Sequence, residues 1–569
     1  MNKINKIFLL LDRKEKALVM LLFILSVMNM LLEIFSIGIL VPLFSNLTNE
    51  INFSNDFFNK IMKFTNFEIF KKTSSVIIII ISIFFIKNFF LLLLKWLENK
   101  LSYNFLRKNS KNLFEYYLNK NYLFHVKSNS ADLIKNIGQE CNIISFNLLR
   151  PILSILSSLV SVLTIFIFLL LIDFKITLTI VIILTFVGIV FSNFTKKILK
   201  NLGEDRHIHS GKALKNLQQA FSNIREIIIS NSRNFFIENF DFHNLKNLRS
   251  GLISNFIFSI PRSIVEISVV ILISLIIIFL TLNNTSFTEI VLTLSMFILG
   301  ASKLMPGTSN LVSNFSTITY NINATKIFNN SYFKFLKNKK LSIDCSLKEF
   351  KFNQIKFSNV SFKYPNKKNL ILNNINLTFK NDDKIGIIGE TGSGKTTLIN
   401  ILTGLLEPIK GTIKIDKSDF NDQINKWQNI VSYVPQNFLT LDENLKQNIT
   451  LGTARSNNKR VNKIIQILDL QKISKRFRKE GAIGERGAKL SGGQNQRVGI
   501  ARALYRNSKV LIFDESLNSI DVNLRDKIIS KIFKLYEKKL IILVSHQKDS
   551  LKKFSKIYKI KSGRLIKIK

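Results

Sequence analysis

Six apolar runs, at about 17–44, 74–97, 143–172, 175–195, 252–280 and 287–317, constrain this chain more than any other feature. Crossing a bilayer core as a helix takes about 20 apolar residues. Inside lipid the backbone has to satisfy its own hydrogen bonds, which leaves helices and closed barrels. The first half of the 569-residue chain is therefore expected to be a bundle of six membrane-spanning helices. Several of the runs exceed the minimum length, so their helices should continue beyond the membrane on one side.

The connections alternate in character. Residues 98–142 and 196–251 are long, polar and rich in Lys and Arg, whereas Asp173–Lys175 and 281–286 are short. Excess Lys and Arg in loops marks the cytoplasmic side, which places both long connections and both chain ends there. Residues 1–16 carry Lys3, Lys6, Arg13, Lys14 and Lys16 without a small-residue cleavage site, the pattern of a retained cytoplasmic flank. Residues 46–73 then lie outside. Their apolar side chains (Phe57, Phe58, Ile61, Met62, Phe64, Phe67) fit either a helix resting on the outer membrane surface or a packed external loop.

Lys+Arg 81 against Asp+Glu 38 gives a formal charge of +43, which would suit nucleic acid if it were clustered. It is spread along the chain and fits membrane topology and anionic headgroups better, so no nucleic-acid partner is expected. Cys141 and Cys345 lie far apart and offer neither a disulfide framework nor a metal spacing. His207 and His209 are two apart, so on a helix they point in different directions.

Five ionisable residues fall inside the spans: Glu33, Lys87, Arg262, Glu266 and Lys303. Each costs about 2.5–3.5 kcal/mol at a bilayer centre, so such groups face a partner or a cavity. Arg262 and Glu266, four apart, can neutralise each other. Alternatively, Arg262 and Lys303 line a basic cavity for an anionic headgroup or diphosphate, with Glu33 nearby.

From Ile355 onward, short apolar runs alternate with helical stretches, the mark of an α/β domain. The expected division is 1–335, a six-helix membrane domain with cytoplasmic loops; 336–352, a polar link; and 353–569, a nucleotide-binding domain. In the last, Gly389–Thr396 reads G-x-x-x-x-G-K-T between an apolar strand (Lys384–Ile388) and a helix. That spacing is the phosphate-binding loop, in which N–H groups and a helix N-terminus face a phosphate. Lys395 reaches the β- and γ-phosphates and the Thr396 hydroxyl ligates Mg²⁺. Tyr364 offers a face for adenine. Gln436 ends an apolar strand where it can reach Mg²⁺ or water, and Ser491-Gly492-Gly493 opens a second helix. Asp514 and Glu515 tip another strand, suited to Mg²⁺ and to a general base for water. His546 ends a fourth, within reach of a γ-phosphate.

With these residues in hand the sequence resembles the ATP-binding cassette transporters. Tyr364 matches the A-loop, Gly389–Thr396 Walker A, Gln436 the Q-loop, Leu490–Gln494 the LSGGQ signature, Asp514 and Glu515 Walker B, Asp521 the D-loop and His546 the H-loop. The resemblance implies ATP and Mg²⁺ as cofactors, with ATP held by Tyr364, Gly389, Glu390, Thr391, Gly392, Ser393, Gly394, Lys395, Thr396, Thr397 and Gln436. Ser491, Gly492, Gly493 and Gln494 would hold it from the partner chain. It implies Thr396, Gln436 and Asp514 on Mg²⁺, Glu515, His546, Gln436 and Lys395 in catalysis, and Asp521 in coupling the two protomers. Coupling helices are implied near His125–Ala131 and Phe221–Ile227.

Six spans ahead of one ATPase domain look like an exporter half-transporter, which implies a homodimer in the plasma (bacterial inner) membrane with its ATPase domains in the cytoplasm. Gly484-Glu485-Arg486-Gly487 matches the exporter X-loop, while Ser516–Asp521 departs from A-T-S-A-L-D and keeps only its Asp. Ile260-Pro261-Arg262-x-x-x-Glu266, Lys303–Pro306 and Glu33 followed by Pro42 are similar to flippases of lipid-linked oligosaccharides. The expected function is ATP-driven flipping of such a lipid. The alternatives are an exporter of lipid A-type lipids, drugs or peptides, and a non-pumping ATP-gated sensor.

Overall fold

The computed structural model describes residues 4–39, 73–282, 287–338, 350–365, 367–451, 456–484 and 487–569. The stretch 46–73 expected outside the membrane (apart from Thr73), Pro42, Cys345 and the Glu485-Arg486 pair lie outside the described residues. The chain divides into two compact units, Met1–Lys120 with His125–Ile343, and Asn121–Phe124 with Asp344–Lys569.

The described residues of the first unit form helices joined by short turns. Its long helices are α1 (Arg13–Gly38), α2 (Thr73–Leu118), α3 (Arg150–Ile172), α4 (Phe174–Ser222), α5 (Arg233–Leu282) and α6 (Phe287–Asn321). Among the described residues five stretches are long and apolar enough to cross a membrane, one in each of α1 to α5, the one in α3 counted from Ser130. The sixth predicted run forms the continuous helix α6. The polar stretches 98–118, 196–222 and 233–251 are helical continuations of α2, α4 and α5, not loops. Lys and Arg are good helix formers, and a helix already nucleated in an apolar run propagates through them. Asp173 alone separates α3 from α4, and its carboxylate accepts from Ile176 N–H at 3.0 Å to cap α4. Many large apolar side chains on these helices point outward, among them Phe85, Phe194 and Leu252. An outer face of that kind suits lipid and is a liability in water.

The second unit holds two sheets. The strands are β1 (Gln354–Phe362), β2 (Leu372–Lys380), β3 (Lys384–Gly389), β4 (Lys410–Ile415), β5 (Ser418–Asp419), β6 (Val431–Val434), β7 (Val510–Asp514), β8 (Leu540–Val544), β9 (Lys556–Lys561) and β10 (Arg564–Lys567). An antiparallel sheet runs β2-β1-β4-β5, and a six-stranded sheet runs β10-β9-β3-β8-β7-β6. Within the second, β9, β3, β8, β7 and β6 run parallel to one another, and β10 joins β9 antiparallel at the edge. β7 and β8 are buried at every position, as strands covered on both faces must be. Helices α7 (Lys395–Leu402), α8 (Gly492–Arg506) and α9 (Val522–Leu535) cover them. Parallel strands end on the same edge, and that edge is where open α/β sheets bind ligands.

Candidate functional site: a phosphate loop facing two carboxylates

The loop between β3 and α7 winds through two left-handed residues, Gly392 at φ +81° and Gly394 at φ +104°. At Gly394 a Cβ would also stand 2.9 Å from Leu372 Cδ2 and 3.1 Å from the Ile371 carbonyl oxygen, so no other residue fits. The Lys395 ammonium folds back over this loop and donates to the carbonyls of Gly389 (2.8 Å) and Glu390 (2.9 Å). The buried Ser393 hydroxyl has no partner. A buried orphan donor inside a loop of this shape fits a phosphate ligand. Glu390, Thr391 and Thr396 are exposed at the loop's mouth, whereas Thr397 is buried behind it.

The ends of β6, β7 and β8 deliver the remaining groups to the same edge. Glu515, one residue past β7, accepts from Gln436 Nε2 at 2.9 Å on Oε2. Its other oxygen lies 3.0 Å from His546 Nδ1 and 3.6 Å from Lys395 Nζ. Glu515 also adopts φ +53°, and its N–H bonds the Val544 carbonyl at 3.0 Å. A non-glycine residue held there costs about 1–3 kcal/mol, a strain that concentrates at functional sites. Asn518 Nδ2 lies 3.2 Å from His546 Nε2 and orients the ring.

Asp514, at the tip of β7, is buried and accepts from the Tyr433 hydroxyl at 3.0 Å. Burial pushes its carboxyl above the usual range, and the neighbouring Glu515 adds to that. Bonds from Tyr433 and Thr396 and the Lys395 charge pull the other way. Thr396 and Asp514 are thus adjacent oxygen donors, the donor type Mg²⁺ prefers. Gln436, expected on Mg²⁺, spends its amide on Glu515 here.

Ser491 caps α8 in a reciprocal box. Its hydroxyl accepts from Gln494 N–H at 3.3 Å, and the Gln494 side chain accepts from Ser491 N–H at 3.1 Å. Gln494, expected to touch ATP, therefore uses its amide to shape the helix start. Gly493 lies so close to the Ser519 carbonyl that a Cβ would stand 2.6 Å from it. Ser491 and Gly492 are exposed, and no hydrogen bond or ion pair among the described residues joins them to Lys395. Asp521 is the residue before α9 and makes no capping bond with its side chain. Tyr364 is half-buried, edge-on to Phe362 at 5.1 Å between centroids. Tyr433 and Asn518 went unassigned on sequence. A tyrosine in a strand whose tip carries the loop glutamine was the available signal for the first.

In the helical unit, Lys87 Nζ lies 2.9 Å from Glu33 Oε1, and Lys303 Nζ lies 4.0 Å from the same oxygen. Arg262 is outside this cluster. It is exposed on α5, one residue past Pro261, and no ion pair joins it to Glu266, also exposed. His207 and His209 do point apart: His207 Nδ1 lies 2.9 Å from the buried Glu140, and His209 meets His243 at 2.9 Å.

Comparison with known proteins agrees with both units. Residues 17–302 match the family described as the ABC transporter transmembrane region, and residues 372–518 match ABC transporter. A "Putative export ATP-binding/permease protein" of Rickettsia typhi is 34% identical over 217 residues, 37% of this chain and 38% of that protein. The alpha-hemolysin translocation ATP-binding protein HlyB of Escherichia coli O157:H7 is 33% identical over 213 residues, covering 37% of this chain and 30% of that one. The match thus spans less than half the length of these relatives. A solved bacterial Atm1-family ABC exporter with ATP bound superposes with a TM-score of 0.77, covering 97% of this chain and 94% of that chain at 17% identity, a likeness of fold. The chain belongs to the ABC transporters.

Proposed function

We propose that the chain is an ATP-hydrolysing exporter half that works as a homodimer in the plasma membrane, its ATPase units cytoplasmic. The observation that carries this reading is Glu515 poised between Lys395, Gln436 and His546, beside the paired oxygens of Asp514 and Thr396. Lys395 exchanges its loop carbonyls for phosphate oxygens when ATP enters. Glu515 accepts the proton of the attacking water, Gln436 places that water, and His546 holds Glu515 and faces the γ-phosphate. Bound Mg²⁺ supplies charge neutralisation on the phosphates, and Thr396 and Asp514 are the residues that hold it. The Ser491–Gly493 helix start, exposed at Ser491 and Gly492, serves the ATP on the partner's Lys395 loop, with Asp521 at the junction.

The cargo we assign is a lipid-linked oligosaccharide or related glycolipid with an anionic head. Its support is the intramembrane cluster of Lys87, Lys303 and Glu33, with Arg262 a separate cation on α5. In vesicles, polyprenyl-diphosphate sugars should raise ATP hydrolysis, and Glu515→Gln should abolish it. Stimulation by apolar drugs or peptides alone, insensitive to Lys303→Gln, would favour the second reading, a peptide or drug exporter. That reading draws on the likeness to the translocation protein HlyB. ATP binding without turnover in the wild type would indicate a gate that does not pump.

A further inference from the structure

The charge cluster of the helical unit is unequal in a way that bears on its ligand. Glu33 comes from α1, Lys87 from α2 and Lys303 from α6. The side chains of Lys87 and Glu33 are 4% and 11% exposed and in contact at 2.9 Å. Lys303 stands at 4.0 Å from the same carboxylate oxygen, with its side chain 37% exposed. The Lys87 ammonium also sits 5.2 Å from the centre of the Phe84 ring, a second contact that holds it in place. Lys87 is therefore committed to Glu33, and Lys303 keeps an open side.

Two ammonium groups against one carboxylate leave a net charge of +1 in this cluster. Isolated intramembrane charges are expensive and, where they occur, serve a ligand or a partner. A pair already neutralised would need no third charge. A carboxylate shared between two lysines also competes with any other anion for the more open one. We infer that Lys303 is the subsite for a singly charged phosphodiester-type headgroup on each protomer. Glu33 is its resident counter-ion: it sets the number of negative charges the subsite accepts and yields Lys303 to the incoming anion. Lys87 is a positioning residue that keeps Glu33 in place when it lets go. This rests on the cargo reading above and extends it from an anionic lipid in general to a charge count and a competing side chain.

The test is equilibrium binding of phosphatidylglycerol, with zwitterionic phosphatidylcholine as the net-neutral control, to the purified protein in detergent without ATP. Glu33→Gln should tighten phosphatidylglycerol binding on the order of tenfold by removing the competitor, and Lys303→Gln should reduce it to the level of phosphatidylcholine. The double variant Glu33→Gln with Lys87→Gln leaves Lys303 alone and removes the buried uncompensated lysine, so it keeps the test open if the single variant does not fold. It too should bind more tightly than wild type. Unchanged or weaker binding in a folded Glu33→Gln or double variant would overturn the inference, as would wild-type binding by Lys303→Gln. Failure of the translocase reading would look different: headgroup binding would follow this pattern while ATP moved no lipid.

Discussion

Glu515 accepts from Gln436 and lies within ion-pair reach of His546 and Lys395, so its replacement separates chemistry from binding. Glu515→Gln should lower the hydrolysis rate about 10²–10⁴-fold, the usual worth of a general base, while equilibrium ATP binding persists; equal loss of both would remove it from that role. Asp514 carries a different burden. Its carboxyl is raised in the folded protein by burial and by Glu515. A raised folded value means its contribution to stability is full below the unfolded value and is lost as pH rises through the folded one. At neutral pH the ionised carboxylate is therefore a cost that ligand binding offsets. Asp514→Asn should raise the melting temperature of the nucleotide-free protein and remove its further rise with Mg-ATP, both read by thermal unfolding. The Gly389–Thr396 loop was legible in sequence because its residues are contiguous and its glycines are required by backbone geometry. The Tyr433 bond to Asp514 spans 81 residues and the Glu33–Lys87 pair 54, and no local pattern announces either.

Elements tell the same story at longer range. The apolar runs marked where α1 to α6 lie but not how far they continue, because amphipathic extensions such as 196–222 carry no hydropathy signal. Between α2 and α3 the chain passes through two π-helical turns, Asn136–Glu140 and Ile144–Leu149, which set Glu140 against α4. There the buried Glu140 side chain lies 2.9 Å from His207 Nδ1 and 3.4 Å from Arg206 Nη2. Glu140→Ala leaves a buried cation unpaired and should cost about 3–5 kcal/mol, measured as a fall in unfolding temperature in detergent. In the second unit, the helix Phe420–Ile430 is fastened by the fully buried Trp427, whose indole donates to the Leu402 carbonyl at 2.7 Å and which packs edge-on to Phe352. Trp427→Ala should cost about 3–5 kcal/mol, and this loss should appear in the unfolding transition of the nucleotide-binding unit.

At the scale of the whole molecule, a single chain carries one phosphate loop and one exposed signature helix start that do not meet within it. The signature residues announce a shared site in the sequence only through the family resemblance, since nothing in Ser491–Gln494 states which phosphate it serves. In the twofold homodimer proposed above, each loop would receive the other copy's signature. The direct test mixes two inactive forms, Lys395→Ala and Ser491→Ala, and measures ATP hydrolysis after subunit exchange. Each mixed dimer then holds one intact composite site, so random pairing should restore about a quarter of wild-type activity if the two sites act independently. A mixture as inactive as its parents after confirmed exchange, or full hydrolysis by Ser491→Ala alone, would contradict the account.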